Sequence, residues 1–188
     1  MNTAFPDLTD HFLIAMPGLA DPQFERTVTY LCQHTDEGAL GLIVNRPMEL
    51  TIGEVLAQLE IPRSPHVGLD DPVYFGGPVQ SDRGLVLHSP ECVWHSTLRI
   101  RDQLCITSSK DILEAMGRGE GPERFLLALG YAGWSQGQLE AEMAENAWLS
   151  IEAEASVIFD HPAQDRWRAS AGLVGIDIAC MTGQAGHA

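Results

Sequence analysis

The sequence predicts a single α+β domain built on a mixed, strongly twisted β-sheet with several packed helices. Short runs of apolar, β-branched and aromatic residues recur between turn residues, which is the pattern of strand hairpins. Single amphipathic segments with capping residues lie among those runs and predict individual helices. With 188 residues and 45% hydrophobic content, the chain can bury one core. We predict one domain over residues 12–181, with flexible tails at 1–11 and 182–188.

The N-terminal part of the domain is predicted to contain three strands. An apolar run at residues 12–16 and a β-branched run at 27–34 predict the first two. A third run at 39–45 follows a turn signal at 36–38. The second and third strands are therefore predicted to form an antiparallel hairpin.

A helix and a second hairpin are predicted next. Thr51 is a favourable N-cap, and Glu54, three residues later, completes a capping box. Strands are predicted at residues 73–75 and 85–88, with a turn at 82–84 between them.

Two strands and a helix are predicted in the middle of the chain. Residues 96–101 alternate polar and apolar side chains, as a half-exposed strand does, and residues 104–106 begin the next strand. Ser108 is predicted to cap the following helix and Gly117 to end it.

Residues 125–148 are predicted to form a buried strand, a glycine-rich turn and a helix. The continuous apolar run at 125–129 is typical of a strand covered on both faces. Gly130 and Gly133 then permit backbone angles or close approaches that a Cβ would forbid. Ser135 is predicted to cap the helix, with Gln138 at the capping-box position.

This predicted turn has two interpretations. Its backbone N–H groups, beside a helix N-terminus, could receive an anion or a carbonyl. Alternatively, it is a tight strand-to-helix connection in which Tyr131 and Trp134 fill the core.

The C-terminal part is predicted to contain one strand and one helix. Residues 148–151 predict the strand. Asp160 is predicted to cap the helix, with Pro162 near its start and Gly172 or Gly175 at its end.

The charge of the chain disfavours nucleic-acid binding. There are 11 Lys and Arg residues against 26 Asp and Glu residues, which gives a formal net charge of −15. Phosphate binding needs clustered cations, and the densest basic groups are the pairs Arg99 with Arg101 and Arg166 with Arg168.

The cysteines and the N-terminus predict a cytoplasmic protein. Cys32, Cys92, Cys105 and Cys180 form no CxxC pair, so free thiols in a reducing compartment are expected. No signal-peptide pattern and no apolar stretch of membrane-spanning length is present, so no membrane partner is predicted.

Four stretches of the sequence resemble the AlgH/YqgE family of bacterial proteins. They are MPGLADPQFERTVTYLCQH, GALGLIVNRP, VYFGGPVQSDRGLVLH and LLALGYAGWSQGQLEAEMAENAWL. The resemblance is strongest over residues 12–160 and extends more weakly to the closing GHA. It implies a single-domain fold with a partly barrel-like sheet, in a cytosolic protein. It also implies a link to the regulation of alginate genes, under the label of a transcriptional regulator. The resemblance supplies no established catalytic residue or cofactor that can be carried over to this chain.

The strand ends and turns predict a ligand-binding cleft. If these ends converge, they supply aromatic walls, two guanidinium groups and exposed backbone donors, which suit a small anionic or planar ligand. The candidates are Asn45, Arg46, Gly76, Gly77, Pro78, Asp82, Arg83, His88, Gly130, Tyr131, Gly133 and Trp134. Alternatively, Arg46 and Arg83 form ion pairs with nearby acids, and the glycines serve turns.

Metal and nucleophile sites are disfavoured. His88, Cys92 and His95 have short spacing, but that spacing fits no standard zinc pairing, and Cys105 is the nearest fourth ligand. No G-x-S-x-G motif is present, and a Cys92–histidine pair has no sequence feature that would lower the thiol pKa. No metal and no cofactor are predicted.

We therefore predict a non-enzymatic regulatory or binding domain that acts through a small ligand or a protein partner. The alternatives are an enzyme of unknown class working in the same cleft, and a direct DNA-binding regulator. The charge of the chain disfavours the DNA-binding alternative.

Overall fold

The computed structural model describes residues 6–178 and 180–182. The strands within them are β1 (His11–Ala15), β2 (Val28–Thr35), β3 (Gly38–Ile43), β4 (Pro47–Thr51), β5 (Pro72–Phe75), β6 (Val79–His88), β7 (Thr97–Ile100), β8 (Leu104–Thr107), β9 (Phe125–Ser135) and β10 (Trp148–Glu152). The helices are α1 (Ile52–Gln58), α2 (Lys110–Arg118), α3 (Gln138–Ala144), α4 (Ala155–Phe159) and α5 (Ala163–Gly172), followed by a 3-10 turn at Cys180–Thr182. Residues 1–5 and 183–188, which make up much of the two predicted tails, lie outside the described residues.

The strands form one curled sheet that resembles half of a barrel, in a single domain with several helices. Its order is β10-β1-β2-β3-β9-β6-β8-β7, with β4 paired to β5 and β5 paired to β9. The β5–β9 pair is parallel, and the other strand pairs among the described residues are antiparallel. The predicted α+β class and mixed sheet are confirmed.

Strand β9 lies at the centre of the sheet and corrects the prediction for its second half. It runs without a break from Phe125 to Ser135, so the stretch predicted as a glycine-rich turn is strand. Its first half pairs with β5 and β6, and its second half pairs with β3. Partners far away in sequence therefore carry the strand through its glycines, which local propensity does not anticipate. Gly137 is the N-cap of α3, so the prediction that Ser135 caps this helix is wrong.

Two further boundaries differ from the sequence prediction. The turn predicted at 82–84 is part of β6, whose register against β9 shifts between Val79 and Gly84. Helix α2 has Ser109 as its N-cap and ends at Gly119, which has a left-handed φ of 80°. The helix continues past the predicted end at Gly117, and that glycine packs closely on the loop that follows α1. A Cβ there would lie 2.5 Å from the Pro62 carbonyl oxygen.

Strand β4 and helix α4 are not predicted by the sequence. Pro47 begins β4, which pairs with β5, and a proline is tolerated as the first residue of a strand. Asp160 is the C-cap of α4, and Pro162 is the N-cap of α5, so the predicted cap at Asp160 is wrong.

Several local predictions are confirmed. Strands β2 and β3 form the predicted antiparallel hairpin. The Thr51 side chain accepts a hydrogen bond from the Glu54 backbone N–H, and the Glu54 side chain accepts one from the Thr51 backbone N–H. Strand β10 forms at the predicted place.

The curled sheet separates three groups of buried apolar side chains. One group, including Phe12, Tyr30 and Leu87, packs with α4 and α5. A second group packs beneath α1 and α2. A third lies beneath α3 and contains Trp134 and Trp148.

The described residues just before β1 contact the domain. The Leu8 side chain is buried. The buried Asp10 carboxylate accepts a hydrogen bond from the Tyr30 hydroxyl at 2.7 Å. These positions belong to the segment 1–11 for which the sequence predicts a flexible tail. Among the described residues, no helix is long and apolar enough to cross a membrane.

Candidate functional site

A groove between α1 and α2, which we call the α1–α2 groove, is a candidate ligand site. Its volume is about 450 Å³, which is within the range of small-molecule pockets. Its apolar lining is Leu50, Val55, Leu59, Val86, Ile112, Leu113, Leu127 and Leu129. Its polar lining is Gln58, Asp82, Thr107, Ser108, Ser109 and Lys110, with Gly84 on the sheet.

The groove forms because two amphipathic helices share one face of the sheet. Ile52 and Leu56 of α1 are buried in the same apolar group as Ile112 and Met116 of α2. These contacts fix both helices on the sheet. The sheet floor between the helices contains Gly84, where a Cβ would meet only the Leu127 Cδ1 at 3.8 Å. The missing side chain leaves room in the floor of the groove.

The polar lining of the groove carries both signs of charge. Asp82 supplies a carboxylate from β6, and Lys110 supplies an ammonium group from the first turn of α2. Ser109, the N-cap of α2, makes no side-chain cap hydrogen bond. Its hydroxyl lies instead 2.5 Å from an Asp111 carboxylate oxygen. An apolar pocket with a few polar groups can orient a ligand whose body is apolar.

The predicted cleft residues do not converge on this groove. Of the twelve candidates, Asp82 alone lines it. Arg83 and Tyr131 instead line a second cavity of about 190 Å³. Successive side chains of a strand point to opposite faces of the sheet, so Asp82 and Arg83 are separated. Pro78 is exposed beside Gly77. The twelve candidates therefore do not line one shared cavity, and a ligand site at any of them stays a prediction.

Asn45 and Arg46 hold backbone groups in place. The Asn45 side chain accepts from the Val28 N–H and donates to the Arg26 carbonyl, both at 2.9 Å. The Arg46 guanidinium donates to three carbonyl oxygens in the loop before β2, those of Pro22, Gln23 and Glu25. Both side chains therefore have structural partners.

Arg83 also bonds to neutral oxygens. Its guanidinium donates to Gln80 Oε1 at 3.2 Å and to Ser108 Oγ at 3.4 Å. Neither Arg46 nor Arg83 takes part in the ion pairs found among the described residues. The alternative expectation that they pair with nearby acids is therefore wrong as well.

Three of the predicted glycines form a close backbone crossing. A Cβ at Gly76 would lie 2.3 Å from the Gly130 carbonyl oxygen, and one at Gly77 would lie 2.1 Å from the Tyr131 carbonyl carbon. A Cβ at Gly130 would lie 2.4 Å from the Gly77 carbonyl oxygen. Gly133 differs, because a Cβ there would make only ordinary contacts, the nearest at 3.6 Å. Gly76, Gly77 and Gly130 thus allow β9 and the β5–β6 connection to pack closely against each other.

Trp134 belongs to the core beneath α3. Its indole Nε1–H donates to Glu142 Oε2 at 2.9 Å, and the Nε1–H of Trp148 donates to the same oxygen at 2.8 Å. The two indole rings meet edge to face, with centroids 6.0 Å apart. Trp134 therefore fills the core, as the second interpretation of the sequence expected.

His88 is the centre of a buried polar chain. Its Nδ1 lies 2.8 Å from the Ser89 carbonyl oxygen, so Nδ1 carries the proton and Nε2 accepts from the Thr107 hydroxyl at 2.8 Å. The Thr107 oxygen in turn lies 2.6 Å from the Thr97 hydroxyl. Burial lowers the pKa of His88, because the charged imidazolium would be desolvated.

This polar chain has the connectivity of a base and a hydroxyl, but its geometry is that of a core. Both His88 and Thr107 have no exposed surface, and Thr107 lies behind the other residues of the α1–α2 groove that it helps to line. Its hydrogen bonds are also taken by His88 and Thr97. Among the described residues, no three His, Cys, Asp or Glu side chains are grouped as a metal site would require.

The sequence does not distinguish the groove residues of α1 and α2 from core residues, because both lie on the apolar faces of these helices. Val55 and Leu59 extend the apolar side of α1 beyond the buried Ile52 and Leu56. Leu59 is 44% exposed. An apolar helix face wider than its burial requires is a usable signal for such a groove.

Comparison with known proteins identifies the family. A family model described as AlgH-like matches residues 12–179. This chain belongs to the AlgH-like family. A UPF0301 protein from Methylococcus capsulatus is 56% identical to it over 187 residues, which cover 100% of both chains. Another from Azoarcus sp. is 50% identical over 188 residues, again 100% of both.

Solved structures agree with the AlgH-like fold. The solution structure of the AlgH protein from Pseudomonas aeruginosa is 47% identical, with a TM-score of 0.80 and 100% coverage of both chains. The crystal structure of a protein from Corynebacterium diphtheriae has a TM-score of 0.71 at 17% identity, covering 98% of this chain and 95% of that one. This second likeness concerns the fold alone.

Proposed function

We propose that this AlgH-like protein is a non-enzymatic binding domain that takes a small ligand in the α1–α2 groove. The observation that supports this proposal is the groove of about 450 Å³, whose lining is mainly apolar with a few polar side chains. Such a shape is the usual make-up of a small-molecule site.

The lining favours a planar or elongated apolar ligand that carries an anionic group and a hydrogen-bond donor. The apolar body would lie against Val55, Leu113 and Leu127. An anionic group would meet Lys110 at the start of α2, where the helix dipole also favours negative charge. A donor group on the same ligand would meet Asp82.

We further propose that the protein acts on gene regulation indirectly, through its ligand or a protein partner. The family resemblance supplies the link to alginate genes, and the charge of −15 argues against direct DNA contact. Free thiols at Cys32, Cys92, Cys105 and Cys180 support a reducing, cytoplasmic setting. An enzyme working in the groove is the alternative, although the polar chain at His88 is closed to solvent.

A ligand screen by thermal shift on the purified protein tests the groove. A compound that binds the native state raises the melting temperature by mass action. In Gly84→Val, the added side chain occupies the floor of the groove and should abolish that rise. Gly133→Val is the matched control, because it adds the same side chain to a strand at a position outside the groove lining.

The expected result is a hit that stabilises both the wild type and Gly133→Val but not Gly84→Val. A hit that stabilises Gly84→Val as strongly as the wild type would show that the compound binds outside the groove. Turnover of the hit compound, followed by chromatography, would favour the enzyme alternative.

A further inference from the structure

A further cavity, of about 340 Å³ and distinct from the one lined by Arg83, contains a buried arginine with no acidic partner among the described residues. Arg166 of α5 is 6% exposed. Its Nε donates to the His161 carbonyl at 3.0 Å, its Nη1 donates to the Val44 carbonyl, and its guanidinium carbon lies 5.1 Å from the Tyr74 ring centroid. None of the ion pairs among the described residues includes Arg166.

A buried charge without a counter-ion is unusual. Arginine is rarely buried unless it is paired, because desolvating the guanidinium is costly. The Val44 bond fastens α5 to the chain just after β3, and the His161 bond links it to the residues just before α5. The Tyr74 side chain is a further hydrogen-bond partner, and the five N–H donors of the side chain are not all used. The group therefore keeps its positive charge and further donor capacity beside the cavity.

The other charged groups of this Arg166 pocket are arranged in a definite way. Arg124 and Asp160 pair with each other. Asp71 and Glu123 are exposed, line the same cavity, and take part in none of the ion pairs among the described residues. The pocket lining therefore combines a buried cation with two exposed carboxylates, and none of the ion pairs among the described residues joins them.

This arrangement disfavours ligands that carry only positive or only negative charge. A simple anion would meet Arg166, but it would also face Asp71 and Glu123 on a chain with a net charge of −15. A simple cation would have to lie near the buried guanidinium. A molecule that carries both a carboxylate and an ammonium group can pair with Arg166 and with the two acidic side chains at the same time.

We propose that the Arg166 pocket binds a small zwitterion of the amino-acid class. The ligand carboxylate bonds to the Arg166 guanidinium, which matches its planar, two-pronged geometry. The ammonium group lies toward Asp71 and Glu123. Ile52, Phe125 and Phe159 supply apolar walls for an apolar side chain.

Titration of ¹⁵N-labelled protein with L-leucine and L-phenylalanine tests this proposal. The Arg166 Nε–H donates to the His161 carbonyl, so its signal reports on a carboxylate bound at the Nη groups through the change in the shared guanidinium. We expect a saturable shift of that signal with each amino acid. The analogues without the amino group (4-methylpentanoate, 3-phenylpropanoate) and those without the carboxylate (3-methylbutylamine, 2-phenylethylamine) should bind at least about tenfold more weakly.

A pair of charge variants localises the binding. Asp71→Asn combined with Glu123→Gln removes both exposed carboxylates and should weaken amino-acid affinity by about tenfold or more. Asp36→Asn combined with Glu49→Gln removes the same charge from exposed positions outside the pocket and should leave affinity unchanged. All four positions are exposed, so both variants are expected to fold.

Three results would overturn the proposal. The first is the absence of a saturable Arg166 Nε–H shift up to about 10 mM amino acid. The second is equal affinity for an analogue that lacks one of the two charges. The third is equal loss of affinity in both double variants, which would reduce the effect to overall charge.

Discussion

Gly130 must be a glycine, because neighbouring backbone atoms leave no room for a Cβ. Its φ of 71° is in the left-handed region, and a Cβ would lie 2.4 Å from the Gly77 carbonyl oxygen and 3.0 Å from that of Val79. Gly130→Ala should therefore lose at least about 1–3 kcal/mol of unfolding free energy. For a chain of this size, that loss lowers the melting temperature by roughly 2–4 °C per kcal/mol, measured by calorimetry.

The control for this prediction is Gly133→Ala in the same strand. Its Cβ would make ordinary contacts with Tyr131 and Val79, and its φ is not left-handed, so stability should change little or rise slightly. Equal melting temperatures for the two variants would contradict the account. The sequence predicts both glycines as equivalent, because only the crossing with Gly77 distinguishes them.

His88 should make stability depend on pH in mildly acidic solution. Burial lowers its folded-state pKa below the ordinary value of 6.5, so the unfolded state takes up the proton first as the pH falls. The free energy of unfolding should therefore fall as the pH drops from 6.5 toward the lower folded pKa. The slope should reach at most about 1.4 kcal/mol per pH unit.

Urea unfolding of the wild type and His88→Gln between pH 5 and 7 measures this contribution. The difference between the two slopes isolates His88 from Asp10, whose pKa burial raises and whose contribution has the opposite sign. Parallel slopes for the two proteins would show that His88 does not titrate between the folded and unfolded states.

At the scale of elements, helix α3 is fastened to two strands by one carboxylate. Glu142 accepts hydrogen bonds from the indole N–H groups of Trp134 on β9 and Trp148 on β10, both rings being buried. Glu142→Ala leaves both donors without this acceptor, which costs about 1–3 kcal/mol. We expect a melting temperature lower by roughly 3–10 °C and altered tryptophan fluorescence.

Glu145→Ala is the matched control for this prediction. It removes the same charge from an exposed position near the end of α3. Its melting temperature should stay near that of the wild type. If Glu145→Ala loses as much stability as Glu142→Ala, the effect belongs to helix charge and the indole bonds contribute little.

Elements determined by local chemistry were predictable from the sequence, and elements that depend on distant partners were not. The Thr51–Glu54 capping box depends on residues three apart, and it forms as predicted. Strand β9 continues through Gly130 because β3, β5 and β6 supply its hydrogen bonds. Those partners are up to about a hundred residues away, so a local pattern reads the glycines as a turn.

At the scale of the whole molecule, the order of the strands decides which residues meet. The sequence identifies strand ends rich in polar residues, but it does not contain the order β3-β9-β6 that separates them. Asp82 and Arg83 are neighbours in sequence and line different cavities. The groove itself depends on two helices that share one face of the sheet. No single sequence motif predicts this arrangement.

The distribution of cations over the molecule argues against direct DNA binding. Arg101, Arg118 and Arg124 are each paired with a carboxylate, and Arg166 is buried. Arg46 is bonded to three carbonyl groups. These side chains are therefore engaged within the protein, on a chain that carries only 11 Lys and Arg residues in total. Each phosphate contact needs an available cation.

We therefore expect no sequence-specific DNA binding at about 0.15 M salt, where specific binders reach about 10⁻⁸ M or tighter. A competition gel shift with an alginate promoter fragment and its scrambled counterpart measures this. A weak shift that is equal for both fragments and lost on adding salt would be non-specific, as expected for residual charge contacts. A shift confined to the promoter fragment at that affinity would replace the indirect mechanism with direct regulation, because no ligand or partner protein is present in the assay.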